Sequence, residues 1–210
     1  MEQRRGCFIA LEGIDGSGKS TQAALLQRRL ERENIPCCFT REPTEGPVGV
    51  LLRQILTGAV KTDNRVAAAL FTADRLDHLL NPEYGVVRML DDGIAVVTDR
   101  YYFSSYAYQS VDVPLAQIIS ANEQCAAVAR PSVNIFIDVG IDEALRRISA
   151  NRARTELFET RERLAAVREN YFRAFDLLRG SENVVIVDGS RDERALEAEI
   201  WEKVREYFQK

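Results

Sequence analysis

Five short apolar runs constrain this chain more than any other feature: "CFIAL" (7–11), "PCCFT" (36–40), "GIAVVTD" (93–99), "VNIFIDV" (133–139) and "NVVIVD" (183–188). A strand with one face in water alternates apolar and polar residues. These runs barely alternate, so they read as strands covered on both faces. The segments between them have helical spacing. In the last, Ser190 and Glu193 form a capping-box pattern, and Leu196, Ile200, Val204 and Phe208 recur every fourth residue along one stripe. Strands that alternate with helices are joined by crossovers, which makes the sheet parallel. The expectation is an α/β fold: one domain over 1–210, with a five-stranded, mostly parallel sheet and helices on both faces. No internal repeat, low-complexity tract or linker interrupts it.

Several function classes drop out on composition. A chain of 210 residues suits one core. No apolar stretch approaches the ~20 residues that span a bilayer, so no membrane role is expected. The charges of MEQRR precede a segment too short for a secretion signal, which runs into Glu12. A cytoplasmic protein is expected. Cys7, Cys37, Cys38 and Cys125 form no CxxC pair and read as reduced structural thiols. A net charge of −4 argues against a broad nucleic-acid surface. Any anionic ligand must be gripped by local arginines.

In parallel sheets of this kind, ligands bind beyond the carboxyl ends of the strands. The first strand end runs into GIDGSGKST (13–21), in which Gly13, Gly18, Lys19 and Ser20 match G-x-x-x-x-G-K-[ST]. Glycines let the chain curl so that backbone N–H groups point inward at phosphate oxygens. A helix starting at about Lys19 adds its unpaired N–H groups and positive dipole end. Lys19 can reach the β and γ phosphates, and Ser20 can ligate Mg²⁺. The expected ATP site is therefore Gly13, Ile14, Asp15, Gly16, Ser17, Gly18, Lys19, Ser20 and Thr21, in a P-loop NTPase fold.

The chain has no N-K-x-D guanine motif. A small-molecule kinase must hold an acceptor beside the triphosphate and keep water out. That calls for a second set of cations, and Arg41, Arg75 and Arg100 are candidates, since a planar guanidinium suits bidentate phosphate binding. Asp99 ends a strand where a carboxylate would organise Mg²⁺, directly or through water. Residues 143–163, EALRRISANRARTELFETRER, carry six arginines in an acidic chain. Their helical pattern breaks near Ser149–Asn151, which suggests a lid at about 149–160 that brings Arg152 or Arg154 onto the transferring group.

"DRYYFSSYAYQ" (99–109) resembles the D-R-Y-x-x-S-x-x-A-Y-Q signature of thymidylate kinases, and TREP (40–43), LFTADR (70–75) and RPSVNIFIDV (130–139) resemble that family in the same order. The resemblance implies transfer of the ATP γ-phosphate to dTMP with Mg²⁺, and a homodimer formed through helices, for which the apolar faces around Val66–Leu80 and Val113–Val128 are available. It implies that Asp15 meets the acceptor 3′-hydroxyl or a metal-bound water, and that Arg41 and Arg100 grip the dTMP phosphate. Phe71 would stack on thymine, and Arg75 would bond its edge with Ser105 and Gln109. Tyr108 would pack where a ribose 2′-hydroxyl would clash. Loop positions Ile14, Asp15, Gly16 and Ser17 carry no base, so the catalytic arginine is expected from the lid, at Arg152 or Arg154, beside Lys19, Arg100 and Asp15. Two departures stand out: Thr44-Glu45-Gly46 replaces a frequent Gly-Gly-Thr, and Leu157 stands in an arginine's place. A phosphate nucleophile needs no strong general base. The lone His78 is thus expected at the surface or an interface, with His78→Ala leaving turnover almost unchanged. Two readings stay open beside this one: a P-loop nucleotide or nucleoside kinase with another acceptor, and a non-catalytic nucleotide-binding regulator.

Overall fold

A computed structural model of the chain describes residues 5–151 and 160–208. The strands are β1 (Phe8–Glu12), β2 (Cys37–Arg41), β3 (Ala95–Asp99), β4 (Val133–Asp138) and β5 (Val184–Asp188). They form one sheet in the order β2-β3-β1-β4-β5, and each neighbouring pair is parallel. The strand order reverses at β1, where Ile9 pairs with Val97 on one side and Val133 on the other. That is the switch point at which a crevice opens above a parallel sheet.

Side chains of β1 alternate between two cores, as a strand's period of two requires. Phe8 and Ala10 face a core built with α3 (Asn64–Leu80), α4 (Val86–Asp91), α5 (Tyr102–Tyr108), α6 (Leu115–Val128), α7 (Ile141–Asn151) and α8 (Arg161–Leu178). Ile9 and Leu11 face a second core built with α1 (Lys19–Arg32) and α9 (Glu193–Val204). The remaining helix, α2 (Pro47–Leu56), lies against α3. Both faces of the sheet are covered, as the unbroken apolar runs require. Among the described residues, no helix is long and apolar enough to cross a membrane.

Two local expectations need correction. The run from Gly93 becomes strand only at Ala95, because Gly93 takes φ 77°, a turn conformation, and ends the helix before it. The cap of α9 is Asp192, not Ser190: its carboxylate accepts from the N–H groups of Arg194 and Ala195 at 3.1 and 3.0 Å. Ser190 lies too far from the first turn and donates to Asp188 instead, at 2.6 Å. The predicted stripe buries Leu196, Ile200 and Val204, while Phe208, past the helix end, stacks on Trp201.

Candidate active site

The chain leaves β1 at Gly13 and enters α1 at Lys19. Gly16 and Gly18 hold φ of 78° and 96°, which side chains disfavour, and a Cβ on Gly16 would lie 2.4 Å from the Ala144 carbonyl oxygen. The buried Lys19 ammonium donates to the Ile14 carbonyl at 2.8 Å. Burial and the Arg100 charge lower its pKa to about 8, against the opposing pull of Asp15, Asp99 and Glu12. Ser20 donates to Oδ2 of Asp99, across from it at the end of β3. The other oxygen, Oδ1, is buried and finds no hydrogen-bond partner among the described residues.

Arg100 follows β3 with φ 76°, a conformation uncommon outside glycine and one that sites tolerate when neighbours enforce it. Here they do. Its guanidinium pairs with Asp15, donates to Ser104 at 3.2 Å, and lies 4.8 Å from the Tyr108 ring centroid. Tyr108 accepts from the Asp15 N–H and donates to its carboxylate, both at 3.0 Å. Below them Glu12, at the end of β1, is fully buried. Its carboxylate accepts from the N–H groups of Tyr101 and Ser104 and from the hydroxyls of Ser104 and Tyr171. Burial pushes its pKa up, against these bonds and the Arg100 charge. Glu12 thereby ties the Arg100 segment to the phosphate-loop strand.

A second buried network joins the chain after β2 to α3. Alternate residues 40, 42 and 44 meet residues 74, 75 and 78, which share one helix face. Thr44 donates its N–H and hydroxyl to Asp74 at 2.8 and 2.6 Å. Arg75 donates Nε and Nη2 to Oε2 of Glu42 at 2.8 and 2.5 Å, and Nη1 to Ser105 and Asn122. His78 bonds Oε1 of Glu42 at 3.0 Å and the Thr40 hydroxyl at 2.7 Å. Burial raises the Glu42 pKa, but Arg75 and His78 outweigh it and hold it low. His78 is 2% exposed. The surface position expected for it is wrong, because two polar partners from another element meet it inside.

One cavity of about 980 Å³ connects these parts. It is lined by Asp15, Gly16, Ser17, Gly18, Lys19, Ser20 and Thr21 toward one end, and by Arg41, Phe71, Arg75, Ser105, Tyr108 and Gln109 toward the other, with Asp99 and Arg100 at the strand end. Gly13 and Ile14 support the loop from behind without lining it. Arg41 is exposed and paired with Glu45 at 2.5 Å. The Oε1 of Gln109 is buried without a hydrogen-bond partner among the described residues. Arg152 and Arg154, with the centre of the expected lid, lie outside the described residues; α7 ends at Asn151 and α8 begins at Arg161.

The thymidylate kinase family model matches residues 11–200. The chain belongs to the thymidylate kinase family. It is 34% identical over 204 residues to the thymidylate kinase of Symbiobacterium thermophilum, covering 95% of this chain and 92% of that one. A protein of Aeropyrum pernix with a provisional thymidylate kinase name is 42% identical over 206 residues, covering 95% and 96%. One from Pyrobaculum calidifontis, also provisionally named so, is 42% identical over 165 residues, covering 78% and 80%.

Beyond the motifs that mark a thymidylate kinase, sequence reasoning missed four side chains of this site. Glu12 and Glu42 are buried anchors. Arg53 donates to the Thr44 carbonyl at 2.5 Å and bridges to Glu45 at 3.0 Å, fixing the departing Thr44-Glu45-Gly46 loop. Arg147 donates to the Gly189 carbonyl at 2.8 Å and to that of Ser17 at 3.4 Å, joining the phosphate loop to the turn after β5. Only Glu42 had a faint local signal, since Thr40, Glu42 and Thr44 alternate; nothing local in the sequence paired it with Arg75 and His78.

Proposed function

We propose that this chain transfers the γ-phosphate of ATP to dTMP, giving ADP and dTDP by direct in-line displacement. The observation that carries this is the single cavity lined at once by the phosphate loop and by Arg41, Phe71, Arg75, Arg100 and Gln109. A triphosphate on Lys19 and a monophosphate near Arg100 would lie end to end. The acceptor phosphate oxygen attacks Pγ, the bond from Pγ to the bridging oxygen breaks, and ADP leaves with that electron pair. No proton has to be removed from the nucleophile, so no side chain acts as a strong base. Positioning and charge do the work.

Lys19 and the loop N–H groups bind the donor phosphates. Arg147 and the turn at Ser190–Glu193 line the cavity on the donor side and offer a place for the adenine. Arg41 and Arg100 bind the acceptor phosphate, Arg41 turning from Glu45. Asp15, oriented by Tyr108, meets the 3′-hydroxyl. Phe71 stacks on thymine, a contact worth ~1–3 kcal/mol by analogy with base stacking elsewhere, while Arg75, Ser105 and Gln109 read its edge.

The unpartnered buried oxygen of Asp99 beside Ser20 fits Mg²⁺ held directly or through water. No group of three or more acidic, cysteine or histidine side chains suited to a metal occurs among the described residues. That agrees with an ion that takes one or two protein ligands and completes its shell with phosphate oxygens and water. When bound, the ion screens the triphosphate charge. Asp99 and Ser20 would hold it at the sheet end.

The chain acts as one domain with a lid at about 149–160, whose Arg152 and Arg154 supply the cation that positions 14–17 lack. Exposed Val66 and Leu80 on α3 support a homodimer through that face, which sedimentation velocity checks. Residues 113–128, by contrast, put Val113, Leu115, Ile118 and Cys125 into the chain's own core. The free thiols of Cys37, Cys38 and Cys125 support a reducing, cytoplasmic setting, which cell fractionation checks.

The test is ATP labelled at the γ position, incubated with Mg²⁺ and dTMP. Label is expected in dTDP. Label released only as inorganic phosphate would overturn the reading.

A further inference from the structure

We infer that His78 is a specificity-positioning residue, acting through Glu42 to hold Arg75 in the orientation that reads the acceptor base. This rests on the reading of Arg75 given above and adds the side chain that sets its direction.

The hydrogen bonds fix the roles. A carboxylate only accepts, so the Nδ1 of His78 must carry the proton it shares with Oε1 of Glu42 at 3.0 Å. Nε2 is bonded to the Thr40 hydroxyl at 2.7 Å. The ring, carried by the last turn of α3, is therefore held at both nitrogens by the β2 segment, through Glu42 and Thr40. With Oε1 fixed by His78, Oε2 presents itself to Arg75, receiving Nε and Nη2 at 2.8 and 2.5 Å. Ser105 and Asn122 hold Nη1 from the opposite side. Arg75 and Glu42 are 1% and 5% exposed, so water does not replace a lost bond in this network.

Without the Nδ1 proton the Glu42 carboxylate is free to turn about its last bond, and the guanidinium plane turns with it. The N–H that Nη2 directs away from Glu42 then no longer meets the carbonyl edge of thymine squarely. A fixed donor on that edge favours dTMP over dCMP, whose amino group stands where thymine has a carbonyl. His78 contacts neither substrate and takes no part in the phosphoryl step.

The experiment compares steady-state kinetics of His78→Ala, His78→Asn and His78→Leu, alone and with Arg75→Lys. His78→Ala is expected to raise KM for dTMP on the order of tenfold, the scale of one bond to a charged group, and to narrow the preference for dTMP over dCMP. The kcat at saturating dTMP and the KM for ATP should stay within about twofold. His78→Asn keeps an N–H where Nδ1 stood and should restore KM. His78→Leu fills the space without a donor and should not. In the Arg75→Lys background, His78→Ala should add little further loss.

If Arg75→Lys raises KM for dTMP but His78→Ala does not, the positioning role fails while the reading of Arg75 stands. If Arg75→Lys leaves both KM and base preference unchanged, that reading falls and takes this inference with it. If His78→Leu serves as well as His78→Asn, the role is packing and the inference is overturned. Should His78→Ala fail to fold, the Asn and Leu variants, which both occupy the site, decide it.

Discussion

Lys19 is the clearest case of a residue whose surroundings set its chemistry. Burial and the neighbouring Arg100 lower its pKa to about 8. A bound polyphosphate stabilises the ammonium and raises that pKa again, so binding above pH 8 must take up a proton. Affinity for ATP is thus complete below about pH 8 and falls as pH rises through it. The expected result is a kcat/KM for ATP that bends downward near pH 8, since that ratio reports the free enzyme. A profile flat to pH 10 would contradict it. Arg100 differs, because its charge does not titrate and its value lies in geometry. Its planar fork is set between Asp15, Ser104 and the Tyr108 ring. Arg100→Ala should lower kcat/KM for dTMP at least ~10²-fold, by analogy with arginines that neutralise transferring phosphate. Arg100→Lys, which keeps the charge but loses the fork, should recover little of it. Near-normal activity in either variant would remove Arg100 from the proposed mechanism.

At the scale of elements, what was legible depended on how local the cause was. The phosphate loop is written in nine consecutive residues, and the structure puts a strand before it and a helix after it. The inner strands were legible because burial on both faces favours apolar residues at most positions: β1, β3 and the first five residues of β4 are wholly buried, with Glu12, Thr98, Asp99 and Asn134 as the polar exceptions. The edge strands β2 and β5 are only partly covered, yet their β-branched and apolar content still marked them. The Glu42–Arg75–His78 network was not legible as a unit. Its members lie 33 and 36 positions apart, and beside Leu79 and Leu80 a lone histidine gives no hint of polar partners. Glu12 was hidden for the same reason, being bound to Tyr171 across 159 positions. The misplaced cap on α9 has a different cause: the Ser190–Glu193 spacing matches a capping box, but the helix begins only at Glu193, two residues past the start that Ser190 would cap. Asp192→Ala should cost about 1 kcal/mol of stability, since it removes a true cap. Ser190→Ala should stay within about 0.5 kcal/mol. Denaturant melts that reverse this order would contradict the assignment. The proposed lid belongs to this scale too. If it supplies the missing cation, Arg152→Ala or Arg154→Ala should cut kcat by orders of magnitude while leaving dTMP binding largely intact. Unchanged kcat in both would refute a lid arginine.

For the molecule as a whole, the strand order explains why one cavity serves two substrates. The sheet reverses direction of growth at β1, so the ends of β1 and β3 stand side by side and deliver Gly13 through Lys19 next to Asp99 and Arg100. The longer excursion from β2 to β3 carries α2 and α3, which wall the acceptor side with Arg53, Phe71 and Arg75. The connection after β5 brings Ser190–Glu193 to the donor side. On the proposed reading, donor chemistry is read by the phosphate loop and its neighbours, and acceptor identity by α3 and α5. That division separates kinase activity in general from thymidylate specificity in particular.

The measurement that tests this most directly is a competition. Limiting Mg-ATP is added to the enzyme with equal concentrations of dTMP, dCMP, dAMP and dGMP, and the diphosphates are resolved by chromatography. The account predicts dTDP as the dominant product until dTMP is consumed. Another diphosphate appearing first, with dTDP in the minority, would contradict the acceptor site assigned to Phe71, Arg75 and Gln109.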